Sequence, residues 1–423
     1  ATTTPITTTT PPPAPGDLTF WESYFAGKGL TSFDPTNIDF NSQNLSDFPT
    51  SQNWPVSDAV NIYLYDDQIP DVSAFKSLQN VGNLFLYGNQ LTNVNGLSGL
   101  QSVGGNFVIA ISPLTNVDGL NSLQSVGGFL YLHRNQLTNV DGLSNLTSVG
   151  DGLWLYENQL TNVNGLSNLT SVGADLILND NPLTNVEGLN SLQSVGGNLG
   201  LYRNQLTNVN GLSNLTSVGG DLGLNNNQIT NVNGLSSLQS VGQYLFLDNN
   251  QLTNVNGLSS LQSVVGYFYL HNNQLTNVDG LSNLTSVGGG LDLKDNQITN
   301  VDGLNGLQSV GDYLYLENNQ LTNVDGLSSL QSVGSSLTLH GNPLTDISGL
   351  ANITSLTSIS FDYNRIDGTV LVTQKMPASA WLCKPAQSNK ILVDVYTVSG
   401  TFYANRQTAA CDCPDANADY ICD

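Results

Sequence analysis

Apolar residues return at the same places every 23 residues through most of this chain, with Asn, Thr, Ser, Gln and Gly between them. The phrase LTNVDGL and its variants begin at Leu91, Leu114, Leu137, Leu160, Leu183, Leu206, Ile229, Leu252, Leu275, Ile298, Leu321 and, degraded, Leu344. A constant period of this size predicts the stacked coils of a solenoid. One coil reads L-x-L-x-x-N-Q-L-T-N-V-x-G-L-x-x-L-x-S-V-G-G-x. Its L-x-L pair alternates in and out, as a strand requires. In the coil that starts at Leu130, the pattern turns Leu130, Leu132, Leu137, Val140, Leu143, Leu146 and Val149 inward.

The strand pair starts at Leu84 and recurs to Leu337, with looser copies at Ile38, Ile62 and Ile359, giving about 15 coils over residues 38–370. Stacked at the usual strand separation, they would extend about 70 Å. No segment carries ten or more residues of helical periodicity. The expectation is a β-rich solenoid, with a parallel sheet on one face and extended or 3₁₀ turns on the other. Asn135 and its equivalents are expected to turn the chain after the strand and to satisfy buried backbone groups of the adjacent coil. Gly142 and the pair Gly127–Gly128 are expected to supply tight bends and unusual dihedral angles.

The coils resemble the leucine-rich repeat family, whose L-x-x-L-x-L-x-x-N-x-L signature they nearly reproduce over about four-fifths of the chain. Three residues separate Val126 from Leu130, where that family usually has two. The extra residue, with its glycine pair, looks like the L domains of growth-factor receptors. The resemblance implies an extracellular leucine-rich-repeat solenoid, capped at both ends.

The ends leave the pattern. Residues 1–16 are rich in Thr and Pro and cannot bury a core. They read as a linker, an O-glycosylated stalk or a frayed terminus, and the opening at Ala1 reads as a processed N-terminus. Residues 17–37 carry Leu18, Phe20, Trp21, Tyr24, Phe25, Leu30 and Phe33, enough to seal one end of the stack. In residues 371–423, the stretch Lys390–Val398 reads as a strand. Cys383, Cys411, Cys413 and Cys422 all fall there, which points to two disulfides and an oxidising compartment, with the pairing open. A four-cysteine metal site is the alternative, although paired C-x-x-C knuckles are missing. Asp415, Asn417 and Asp419 alternate like the first half of a calcium loop, but Tyr420 stands where such loops need glycine. No other cofactor is expected.

Charge narrows the partners. Only 10% of the residues are charged, against roughly 25% in a typical soluble protein, and the formal net charge is −23. Nucleic acid and anionic membrane surfaces are thereby disfavoured. No apolar run reaches the roughly 20 residues that span a bilayer. No nucleophile elbow, zincin motif or phosphate loop is present, so no catalytic residue is assigned.

Each outward position of a solenoid becomes a column. Between the two strand leucines stand Tyr63, Phe85, Tyr131, Trp154, Phe246 and Tyr269; just after the strand stand Tyr65, Tyr87, Tyr156 and Tyr202. These columns vary while the rest of the coil repeats. Exposed aromatics there are the candidate ligand-binding residues for a protein or glycan. The plainer alternative is that aromatics simply favour strands and pair across them. His133, His271 and His340 share the second column, but His271 and His340 alone would be about 14 Å apart by strand spacing, too far to share a metal. Threonines from Thr92 to Thr345 form a further column, similar to the faces of ice-binding proteins. Asn145, Asn168, Asn214, Asn283 and Asn352 are N-x-T sequons in one column and candidate glycosylation sites.

The leading expectation is a non-catalytic, secreted or cell-surface module for adhesion or recognition through its strand face. Two alternatives stand beside it. One is a structural subunit of a fibre or surface layer, self-associating through the N-terminal tail; the other is an ice-binding protein using the Thr/Asn column.

Overall fold

The computed structural model describes residues 16–40, 43–356, 358–362, 392–397 and 400–401. The Thr/Pro tail up to Pro15, the four cysteines, and Asp415, Asn417 and Asp419 lie outside the described residues. The chain divides into two compact units, residues 1–182 and 183–423.

The first unit stacks coils in parallel, with strands at Asn37–Asp39, Asp58–Tyr63, Asn80–Phe85, Phe107–Val108, Leu130–Tyr131, Leu153–Trp154 and Leu176–Ile177. The register is one coil to the next: Leu130 pairs with Leu153 and Tyr131 with Trp154. Short 3₁₀ turns such as Asp141–Leu143 form the opposite side. A second parallel ladder, not expected from the sequence, runs through the S-V dipeptides, with Ser125–Val126 on Ser148–Val149. The seven residues expected inside the Leu130 coil are all buried.

A helix, Leu18–Gly27, precedes these coils, although no helical periodicity marks it. Only Trp21 and Phe25, four residues apart, are buried on it, too few to create a periodic signal. The Asp17 side chain caps it by accepting from the Thr19 N–H at 2.9 Å. Trp21 packs 4.9 Å from Trp54 and donates from its indole to Asn53 O at 2.8 Å, closing the apolar interior.

The second unit repeats the arrangement from Leu199–Gly200 to Ser358–Asp362. Strand Leu392–Thr397 then adds in parallel to Ser358–Asp362, and Gly400–Thr401 returns antiparallel.

The asparagine ladder forms as expected. Asn158 Nδ2 donates to Leu155 O in its own coil and to Leu132 O in the preceding one, both at 3.0 Å. Its Oδ1 accepts from Leu137 N at 3.1 Å. Asn250 does the same in the second unit with Leu247 O, Leu224 O and Ile229 N. One amide therefore satisfies three buried backbone groups that the turn leaves open.

The glycines depart from expectation. Gly127, Gly128 and Gly142 do not have positive φ. They are required because coils approach too closely for a side chain: a Cβ at Gly142 would lie 1.8 Å from Val117 O, and one at Gly127 2.1 Å from Gly104 O. The left-handed residue of each coil is the one before the ladder asparagine, as at Arg134 (φ 54°) and Glu157 (φ 52°). Ile111 holds the same conformation at φ 56°, an outlier for a β-branched residue, in the coil where Ser112 replaces the asparagine.

Candidate recognition surfaces on the strand face

Three side chains per coil point out from the strand: the residue before the first leucine, the one between the leucines and the one after. In-register strands lie about 4.8 Å apart, close to the contact distance of aromatic rings. Neighbouring aromatics in a column therefore stack. In the first unit Tyr131 lies 4.0 Å from Trp154 of the next coil at an interplanar angle of 13°, and it also stacks at 4.1 Å and 14° on Phe129, two residues back in its own coil. His133 stacks on Tyr156 at 4.6 Å and Tyr65 on Tyr87 at 4.7 Å. Tyr63 and Phe85 are 5.0 Å apart and tilted by 51°.

The aromatics were expected to be exposed. They are half-buried instead, because each ring covers its neighbour. Sequence reading also missed Phe129 and, in the second unit, Tyr244, Tyr267 and Tyr313. All four precede the first strand leucine, and extending the in–out alternation one residue backward would have found them. Val108 and Ala110 interrupt the columns and are buried.

Polar groups frame the first unit's rings. Arg134 Nε donates to Glu157 Oε2 at 3.0 Å, and its guanidinium carbon lies 5.9 Å from the Tyr156 ring centroid. Burial, followed by the nearby Arg134 charge, holds His133 below its ordinary pKa. Trp154 Nε1 is buried and has no protein acceptor.

The second unit carries a separate group. Phe246 and Tyr269 stack at 5.2 Å, and Tyr313 and Tyr315 at 4.0 Å. Tyr267 reaches across Gly289 to donate to Asp312 Oδ2 at 2.9 Å, and Tyr313 lies over Gly290. A Cβ at Gly290 would meet the Tyr313 ring at 2.4 Å, so glycine admits the ring. Tyr202 leans on Gly223 in the same manner, 3.2 Å from where a Cβ would stand.

Beside these rings, His271 Nδ1 lies 3.1 Å from Asp292 Oδ2 and its Nε2 lies 3.8 Å from Asp248 Oδ2. The contact with Asp292 raises the imidazole pKa and outweighs burial, which acts the other way. Burial raises the Asp248 carboxyl. Lys294 Nζ sits 3.7 Å from Asp292 Oδ2 and 5.8 Å from the Tyr315 ring centroid.

The other columns serve the stack. Asn145 and Asn168 donate to carbonyls of the preceding coil at 2.7 Å, as Asn214 and Asn283 do in the second unit and Asn352 does at 2.8 Å. Where the sequon is missing, Ser122 and Ser237 make the same bond. Thr115 Oγ1 donates to Thr92 O, and Thr230 Oγ1 to Thr207 O. Asn139 Oδ1 accepts from Asp141 N at 3.1 Å and opens the 3₁₀ turn. Among the described residues no group of three or more His, Cys, Asp or Glu side chains could hold a metal ion. No helix there is long and apolar enough to cross a membrane.

The chain is similar to several solved structures. An internalin, inlF, from Listeria monocytogenes shares 23% identity over 71% of this chain and 86% of its own, with a TM-score of 0.45. The functional domain of InlJ from the same organism shares 20% over 72% of this chain and 69% of its own, at 0.41. The ectodomain of the Arabidopsis thaliana receptor kinase GASSHO1/SCHENGEN3 shares 20% over 80% of this chain, at 0.48; the match spans 44% of that ectodomain. No curated protein matches the chain. The family model for the BspA type leucine rich repeat region (6 copies) matches residues 61–184, 177–291 and 271–367. These matches span most of the repeat and more than half of the sequence, so the chain belongs to the BspA-type leucine-rich repeat family.

Proposed function

We propose that this chain is a non-catalytic recognition module whose first unit binds a protein partner through the strand-face aromatics. The observation that carries this reading is the stack Phe129–Tyr131–Trp154, with successive ring centroids 4.1 and 4.0 Å apart. A sugar needs an open ring face. Tyr131 has a ring on both faces, so it offers its edge and hydroxyl to an incoming surface. A rigid patch of aromatic edges suits a flat protein epitope, where Tyr and Trp anchor binding at low entropic cost. Leucine-rich repeat domains commonly mediate protein–protein recognition, which supports this choice. The family supports an extracellular or cell-surface location. Glycans at the five sequons would fit the same location: the five asparagines are exposed, although each amide nitrogen donates to a carbonyl of the preceding coil.

The hydroxyls of Thr115 and Thr230 already serve neighbouring carbonyls, which favours recognition over ice binding. The test is a parallel screen of the full chain against a glycan array and a displayed library of extracellular proteins. Protein hits should weaken on Tyr131→Ala or Trp154→Ala by a hot-spot cost of about 2 kcal/mol and survive Thr138→Ala. Glycan hits with that mutational profile would overturn the protein assignment. Protein hits indifferent to both aromatic variants would move the site off this face.

A further inference from the structure

We propose that the second unit carries its own docking surface, a tyrosine and carboxylate patch that takes lysine or arginine side chains of a partner protein. This surface is independent of the first unit's aromatic stack and stands or falls without it.

Its geometry begins with the coil at Leu291. That coil presents Gly290 and Asp292 where both neighbouring coils present tyrosine, and Gly289 precedes them. Tyr267 from one flank and Tyr313 from the other lean over the glycines until their centroids are 5.6 Å apart. Tyr267 ends on Asp312, and the Tyr313 hydroxyl donates to the Tyr269 hydroxyl at 3.3 Å. Tyr315 stacks on Tyr313, and Tyr244 flanks Tyr267 at 5.3 Å with 37% of its surface exposed. Five tyrosines thus surround the glycines beside two carboxylates: Asp292, which is buried and already faces His271 and Lys294, and Asp312, which accepts from Tyr267.

Two features select a cation. The faces and hydroxyls of tyrosine attract ammonium and guanidinium groups, and a carboxylate behind the ring strengthens the pull. The surface already holds one such group: Lys294 places its ammonium between the Tyr315 ring and Asp292. Its own lysine shows the arrangement accepting the proposed chemistry. The net charge of −23 supplies the long-range attraction that steers a basic segment toward it.

The test uses the full chain and a fluorescein-labelled deca-arginine peptide, read by anisotropy at about 0.15 M salt, where long-range attraction is screened beyond roughly 8 Å. Tyr315→Leu, Tyr267→Leu and Asp312→Asn should each weaken binding about threefold to fivefold, the range of a solvent-exposed cation–π contact. Tyr315→Phe keeps the ring face and its packing and should retain binding. Asp279→Asn and Asp302→Asn change the charge equally on the 3₁₀ edge, and Trp154→Ala alters the other unit; all three should leave binding within twofold. If the edge variants weaken binding as much as Asp312→Asn, bulk charge is responsible and the patch is overturned. Loss on Tyr315→Phe equal to that on Tyr315→Leu would overturn the ring-face contact, and no change in any patch variant would remove the site.

Discussion

Tyr131 and Trp154 lie in consecutive coils, paired in register, with their rings parallel to within 13° and 4.0 Å apart. Strand separation and aromatic stacking distance nearly coincide, so the backbone ladder sets the geometry of the side-chain ladder above it. The contact therefore contributes to stability as well as to the shape of the face.

A double-mutant cycle on Tyr131→Ala and Trp154→Ala, followed by urea unfolding, is expected to give a coupling of about 1 kcal/mol, the usual worth of an aromatic pair beyond its area. Strict additivity of the two variants would show that the stack adds nothing to folding.

Asn158→Ala should destabilise the first unit by about 1–3 kcal/mol, the cost of one buried group left without a partner. It orphans Leu137 N, while Leu132 O keeps the Asn135 amide and Leu155 O keeps that of Asn181. Hydrogen exchange should accelerate at Leu137 N before it does in distant coils. Loss of less than about 0.5 kcal/mol would mean that water replaces the amide.

Gly142→Ala and Glu157→Gly should act in opposite directions. The first forces a methyl group to within 1.8 Å of Val117 O, a backbone atom that cannot yield without shifting a coil, and should cost several kcal/mol. The second frees a left-handed position at φ 52° and should be neutral or mildly stabilising, by up to about 1 kcal/mol. Melting temperatures that fall equally for the two would contradict the close-approach account.

Asp67 occupies the ladder position in the coil at Ile62, where most coils carry asparagine. It is fully buried, and its Oδ2 has no hydrogen-bond partner. Burial pushes its pKa up to about 7, with the nearby Asp66 charge adding to the rise. A carboxyl raised in the folded state is uncharged there while the unfolded chain is already ionised. Stability from this group is therefore fully present below about pH 4 and is lost as pH rises to about 7. Asp67→Asn restores the amide donor and should flatten that dependence, raising stability at pH 8 by about 1–2 kcal/mol. Urea midpoints from pH 4 to 8 decide it: identical slopes in the two proteins would exclude Asp67 as the titrating group.

The inward set of the Leu130 coil, the 3₁₀ side and the role of Asn135 were all legible in the letters, since one period fixes them. Phe129 and Tyr313 were missed because only two of the three outward positions were considered. The Leu18–Gly27 helix escaped because two buried aromatics make no period.

The sequence by itself determined the coil: its length, its buried residues, its ladder asparagine and its family. Tertiary structure decided how consecutive coils meet. It turned Gly142 from a bend into a point of contact, covered Tyr131 on both sides, and brought Tyr267 over Gly289 to Asp312. Those outcomes depend on the few ångströms between one coil and the next, which a pattern written along a single coil does not contain.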